Sequence, residues 1–213
     1  EIANASNKAT RQQLIDRLTK LNPTLAAIFE SAKHAAECTS KFVRETKRYP
    51  LTAIGDVNTY ALFAELAKNL MNISGQAGII LPTGIVTDDS TKEFFGNLIE
   101  NGHLSRVIGF ENESFIFPAV HHSTKFCCLI IKGHSDKEKP VTFMFYCRSF
   151  EQIRDEIRYF QLLPYEIAQI NPNTKTCPIF RTSIDAKLTR KIYQRVPVLI
   201  NEQTGKNPWR VKF

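Results

Sequence analysis

An α/β fold is predicted by three features of the chain. Helix-patterned and strand-patterned segments alternate in the order helix, strand, helix, strand, strand; the strand candidates are short apolar runs; and the 43% hydrophobic content is that of an ordinary globular protein. Leu14, Ile15, Leu18 and Leu21 recur at helical spacing after the polar starter Asn7. Asn22-Pro23 restarts a helix, with Asn22 as cap and Pro23 at the first helical position, and Leu25, Ile28, Phe29 and Ala32 form its apolar face. Arg44 to Pro50 is basic, ends in Tyr49-Pro50 and reads as a linker.

In the middle of the chain Asn58 to Met71 reads as a helix with Leu62, Phe63, Leu66, Ala67 and Leu70 inward. Gln76 to Leu81 is an apolar run closed by Pro82-Thr83-Gly84, the pattern of a buried strand ending in a turn. Ser90-Thr91-Lys92-Glu93 is a capping-box pattern, and its helix should run to about Asn101-Gly102. Leu104–Phe110, Lys125–Ile131 and Val141–Cys147 follow as strands. Ser149 and Gln152 are expected to start a helix with Phe150, Ile153, Ile157 and Phe160 buried. After the turn-rich Asn171-Pro172-Asn173-Thr174, a basic helix is expected over Ser183 to Arg195 with Ile184, Leu188 and Ile192 inward, and 204–213 as loop.

The 213 residues suit one domain with an appendage or two small domains, and the formal charge is +7. That charge is uneven: 9 basic and 5 acidic residues in 1–50, 8 and 10 in 51–150, 11 and 6 in 151–213. A near-neutral centre between basic flanks fits a catalytic core with polyanion-facing arms, but charge alone favours the plainer reading of helix faces solvated by Lys and Arg. The longest useful apolar stretch, Phe126 to Ile131, is far short of a membrane span, so no membrane partner is expected. The polar start, Glu1 to Lys8, has no leader character, and the absence of an initial Met hints at a piece of a longer chain. Five cysteines, none in a Cys-x-x-Cys pair, read as reduced thiols of a cytoplasmic protein.

No Gly-x-Gly-x-x-Gly follows a strand and no Walker-type Gly-Lys-Ser/Thr occurs, so the usual phosphate cradles are missing. Adjacent His121 and His122 in an extended segment point to opposite sides, and no Cys or carboxylate is spaced to join them, so no metal site is expected. Cys127-Cys128 reads as packing and Asp88-Asp89 as helix-start charge.

Several runs carry a family resemblance. Asn58-Thr59-Tyr60-Ala61-Leu62-Phe63-Ala64-Glu65 is followed by Gly75-Gln76-Ala77-Gly78-Ile79-Ile80-Leu81-Pro82, then by Gly109-Phe110-Glu111-Asn112 and Phe115-Ile116-Phe117-Pro118-Ala119-Val120. In this order and spacing they resemble the second half of the catalytic domain of gamma-class adenine-specific DNA methyltransferases, as in large type II restriction-modification and phage-defence enzymes. The stretch from Asn171 to Arg181, with Arg195-Val196-Pro197-Val198-Leu199 after it, is similar to the region beyond that domain.

The resemblance implies a partial Rossmann-like methyltransferase sheet with N-terminal helices and a basic C-terminal extension. It divides the chain into a helical segment 1–50, a catalytic half-domain 51–148 and an extension 149–213. It also implies antiparallel pairing of Leu104–Phe110 with Lys125–Ile131, and an open sheet edge at Gln76–Leu81 where the missing half docks. The implied chemistry is transfer of a methyl group from S-adenosylmethionine to the exocyclic amine of an adenine flipped out of double-stranded DNA. In the family an Asn/Asp-Pro-Pro-aromatic loop orients that amine and a Gly-containing loop grips the cofactor. Asn22-Pro23, Asn171-Pro172 and Asn207-Pro208 all lack the second Pro, so both motifs fall in a preceding half, and the chain alone is expected to be inactive.

Residue by residue, Phe63 matches an aromatic that packs on the cofactor's adenine ring, and core packing is its plain alternative. Asn58 borders the cofactor pocket or simply caps its helix. Pro82 closes its strand at the edge where open α/β sheets bind ligands, or only forms a turn. Phe117 matches the aromatic before Pro that stacks on the flipped base, its alternative being a plug beside Phe115 and Phe110. Lys125 is the matching candidate for a DNA contact. A non-catalytic DNA-binding or assembly module is the other reading of the whole, with a homodimer as one way to cover the open edge.

Overall fold

A computed structural model describes residues 2–212. Contacts divide the chain into two units, 1–48 and 49–213. The first is a helical hairpin of α1 (Lys8–Leu21) and α2 (Pro23–Glu45). Both caps act as the sequence implies: the Asn7 side-chain carbonyl accepts from the Thr10 N–H (2.9 Å) and that of Asn22 from the Leu25 N–H (3.0 Å). The apolar face expected on α2 is exposed at Leu25, Ile28 and Phe29, and the buried residues of α2 are Ala26 and Val43. Two helices alone have little surface to offer one another, so propensity and caps define this hairpin more than a core does.

The second unit is a mixed α/β body, as expected. Its elements run α3 (Thr59–Leu70), β1 (Gln76–Pro82), α4 (Gly84–Thr87), α5 (Lys92–Glu100), β2 (Leu104–Glu111), β3 (Lys125–Lys132), β4 (Val141–Cys147), β5 (Phe160–Leu162), α6 (Pro164–Ile170) and α7 (Ser183–Arg195). The five-stranded sheet has the order β1-β3-β2-β4-β5. β3 is antiparallel to both β1 and β2, while β2 and β4 are parallel and β5 is antiparallel to β4. The expected β2–β3 pairing is therefore present, and β1 is an edge strand.

Register sorts the side chains into two faces, because successive residues of a strand point opposite ways. One row crosses the sheet as Ile79, Leu129, Val107, Phe143 and Phe160. Together with Leu81, Cys127, Ile131, Phe145 and Leu162 it packs under Ala61 and Ala64 of α3, Ile85 of α4, Phe94, Phe95 and Leu98 of α5, and Ile167 of α6. Each of these large side chains contributes about 1.5–3 kcal/mol by leaving water. The neighbouring row on the other face is Gly78, Ile130, Arg106, Thr142 and Gln161, none of it fully buried. That face is covered only toward the carboxyl ends of β2 and β4, by a smaller cluster of Ile108, Phe110, Phe126, Met144 and Cys147 with Ile116 and Ile153 against it.

The β2–β4 register shifts between Ile108 and Phe110, and Tyr146 opposite this shift has φ +62°. This left-handed residue is the bulge that re-aims the end of β4. Gly109 sits under the Phe145 ring, where a Cβ would overlap it. Buried Glu65 ties the incoming chain to α3, its carboxylate accepting from the Thr52 hydroxyl (2.7 Å) and the Leu51 N–H (3.3 Å).

Several expectations are corrected here. On α3 the buried positions are Ala61, Ala64 and Glu65, while Phe63 and Leu70 point outward; small residues let the helix lie close on β1. β1 is not a buried strand, since its exposure alternates and Gln76, Gly78 and Ile80 are open. Ser90 does not cap α5; a short 3-10 turn precedes it, and the Thr91 hydroxyl donates to the Gly84 carbonyl (2.6 Å) instead. The helix expected from Ser149 is two short 3-10 turns followed by β5. Phe160 pairs with Phe143 and stacks on it at 5.5 Å, a tertiary contact that overrides the local 3.6-residue pattern. α6 was not anticipated, although Pro164 at its start and the Glu166 carboxylate accepting from the Leu163 N–H (2.9 Å) are ordinary start signals. α7 has the expected bounds, but Ala186 faces the core while Ile184, Leu188 and Ile192 are exposed. Among the described residues no helix is long and apolar enough to cross a membrane.

Cys127, Cys147 and Cys177 are buried thiols. Burial, with a smaller effect of Cys128, pushes Cys127 from 9.0 up to about 12, and burial raises Cys177 likewise. In the unfolded chain these thiols ionise first, so their contribution is complete below about pH 9 and is lost as pH rises from there. The thermal midpoint should fall between pH 9 and pH 12, and Cys127→Ala should flatten that fall; an equally steep fall in the variant would contradict this origin.

Candidate functional site

Because β1, β2 and β4 run the same way and β3 runs against them, the ends of the first three and the start of β3 form one rim. Pro82 pairs with Phe126, Glu111 with Lys125, and Phe110 with both Phe126 and Cys147. The α3 start reaches the same rim, since Tyr60 feels Asp88 and Cys127; burial first, then the Asp88 carboxylate, raises its phenol above the ordinary value. The rim gathers Pro82, Phe117 and Lys125 at the carboxyl end of the strands, the side on which open α/β sheets bind ligands.

Residues 112–124 connect β2 to β3 across this rim, and Asn112 organises them. It is fully buried; its carboxamide donates to the carbonyls of Phe117 (3.0 Å) and Val120 (2.9 Å) and accepts from the Phe117 N–H (2.9 Å). Its own N–H donates to the Thr124 carbonyl at 3.1 Å. Phe115, at φ +50°, turns the chain so that Phe117 follows on the sheet side. The Phe117 ring meets Phe126 edge-on at 4.9 Å, and Phe126 stacks on Phe110 at 5.1 Å and 6°. Phe117 is nonetheless 38% exposed, so it is a supported ring with a free side and not a sealed plug.

Charge at the rim is balanced by Glu111. Its carboxylate accepts from Arg148 Nε and Nη2, both at 2.9 Å, and lies 3.9 Å from Lys125 Nζ. Lys125 also sits 5.6 Å from the Tyr146 ring, whose centroid lies 4.5 Å from the Arg181 guanidinium carbon. Buried Thr83 Oγ1 has no hydrogen-bond partner and lines the small cleft between Lys125 and Tyr146.

Asn58 occupies the N-cap position of α3 through its backbone carbonyl, and Phe63 departs from its plain alternative of core packing. Asn58 makes no side-chain capping hydrogen bond, and Phe63 is 66% exposed on the outer face of α3, so it is not core. Leu70 and Ile73 lie open beyond it, as does Ile80 on β1. Sequence reasoning quoted Asn112 and Glu111 but gave neither a role; a buried Asn directly after a strand and before an aromatic-rich loop was the available signal. Among the described residues no group of three or more His, Cys, Asp or Glu is placed to hold a metal ion.

No protein-family model matches the chain. Over 148 residues, 68% of its length, it is 25% identical to the type II restriction enzyme and methyltransferase RM.Eco57I of Escherichia coli. The likeness is to a restriction-modification methyltransferase. The chain spans 14% of that protein's length. The solved structures that align with it include the type IIG restriction endonuclease BpuSI (23% identity, 49% of this chain and 12% of that one, TM-score 0.37) and a type I restriction-modification methyltransferase subunit from Streptococcus thermophilus (18%, 64% and 34%, TM-score 0.46).

Replacing Asn112 with Ala removes its carboxamide from the Phe117 N–H and from the Phe117 and Val120 carbonyls, at about 0.5–1.5 kcal/mol per hydrogen bond. The expected result is faster amide hydrogen exchange across 113–124 with β1 protection unchanged; unaltered exchange in that loop would remove Asn112 from its organising role.

Proposed function

We propose that this chain is part of a restriction-modification DNA methyltransferase that modifies the exocyclic amine of adenine. It supplies one wall of the catalytic chamber, and the cofactor-gripping and Asn-Pro-Pro-aromatic loops come from a preceding half of the same polypeptide. The observation that carries this reading is the supported, half-exposed Phe117 ring at the carboxyl rim of a sheet whose sequence matches a restriction-modification methyltransferase. A flipped base needs a flat apolar surface held at a fixed angle, and Phe126 behind the ring with Asn112 at its backbone provide that rigidity.

On the cofactor side Asn58, Phe63 and Pro82 are all exposed and uncommitted to the core, which fits residues that wait for a ligand or for the other half. In this reading Phe63 packs on the adenine of S-adenosylmethionine, with Asn58 and Pro82 beside it. The cofactor supplies an electrophilic methyl group; the residues of this chain bind, orient and exclude water. Lys125, balanced by Glu111, is available to a DNA phosphate or base edge. The unpaired edge of β1, with Ile80, Phe63, Leu70 and Ile73 open beside it, is where the preceding half completes the sheet.

The test is methyl transfer from labelled S-adenosylmethionine to adenine in duplex DNA. The 213-residue chain alone should give none, and the longer protein should give robust incorporation. Loss of one base-stacking ring costs about 1–3 kcal/mol, so Phe117→Ala in the longer protein should slow transfer about tenfold to a hundredfold. Unchanged transfer would overturn the role of Phe117, and label on cytosine would overturn the adenine assignment.

A further inference from the structure

A second polar surface lies away from the Phe117 rim, along the far edge of the sheet. It is an open groove of about 740 Å³ between the uncovered sheet face and α7. Its floor is the cross-strand row Arg106, Thr142 and Gln161, in register on β2, β4 and β5. Lys187 and Arg190 of α7 stand on the other wall.

The cations are placed and not merely present. The Arg106 guanidinium lies 6.0 Å from the centroid of the Tyr159 ring, which also lines the groove. Arg190 is held by the buried carboxylate of Glu166 at 3.2 Å, whose other oxygen is taken by the Leu163 N–H. Among the described residues neither Arg106 nor Lys187 makes an ion pair, so two uncompensated charges face one groove. Gln161 donates to the Thr142 hydroxyl at 3.4 Å, leaving further hydrogen-bonding capacity between them.

We propose that this groove binds the phosphodiester backbone of duplex DNA, as a second contact beyond the catalytic rim. Three cations on two separate elements, β2 and α7, spaced by neutral donors and one aromatic ring, suit successive phosphates of a polymer. A single free phosphate is better served by an enclosed cradle of backbone N–H groups than by an open groove. Duplex DNA as the source of the phosphates rests on the function proposed above; attraction of phosphodiesters to the groove does not.

The experiment is fluorescence anisotropy of a short labelled DNA duplex titrated with the chain over a series of salt concentrations. The variants are Arg106→Gln with Lys187→Gln, and Lys191→Gln as a control on the same helix outside the groove, with circular dichroism to verify folding. The double variant should bind about tenfold more weakly at low salt, and its log–log salt slope should drop by about 2, whereas the control should change less than about twofold. Equal losses in the control would overturn the groove in favour of diffuse charge. Displacement by inorganic phosphate beyond that caused by chloride at equal ionic strength would overturn the polymer in favour of a free anion, and tighter binding of an RNA duplex would overturn DNA. Binding lost in the double variant while the longer protein transfers no methyl group would uphold the groove and remove the enzymatic reading.

Discussion

The reversed strand β3, inserted between two strands that run the same way, is the constraint on which the second unit depends. Its register with β1 and β2 decides which side chains face the helices and which face away. A slip of one residue would turn Leu129 and Cys127 outward and bring Ile130 and Cys128 into the helix layer, and the whole apolar row would lose its partners. The same insertion brings the start of β3 level with the ends of β1 and β2, so Phe126 can stand behind Phe117 while Lys125 meets Glu111.

A second asymmetry follows from where the helices lie. α3 to α6 pack their buried side chains into the cluster on one face, and the opposite face is clothed only near the rim by residues from 108 to 159. What remains bare divides into two regions of different chemistry. Toward β1 it is apolar, with Ile80 and, around the corner on α3, Phe63 and Leu70. Toward β5 it is polar and basic, with Arg106, Thr142 and Gln161. Surfaces so unlike each other suit different neighbours: an apolar one for protein, a cationic one for a polyanion.

Much of this arrangement was legible in the sequence, for identifiable reasons. Asn22-Pro23, the apolar runs at 104–110 and 125–131, and the bounds of α7 were legible because local chemistry and tertiary structure agree there. The rim positions of Pro82 and Phe117 were also legible, through their family-like runs. Hidden were the features set by contacts distant in sequence. Phe160 obeys a helical spacing from Phe150 yet is claimed by Phe143. Ile184, Leu188 and Ile192 make a convincing inward stripe, but the close approach of α7 needs Ala186, and the stripe is turned away. Phe63 was weighed as core because leucines share its register, whereas small Ala61 and Ala64 govern how α3 sits. The organising part played by Asn112 depends on carbonyls five and eight residues later, which no local pattern announces.

The seat of the Phe145 ring over Gly109 carries a consequence for the history of this sequence. The two residues fill one space from opposite sides, the ring occupying the volume that any Cβ at 109 would need. Alanine at 109 forces the Phe145 ring to shift unless a slimmer residue stands at 145. The two sites are therefore expected to covary across descendants, a pairing inherited as a unit although thirty-odd residues of chain separate its members.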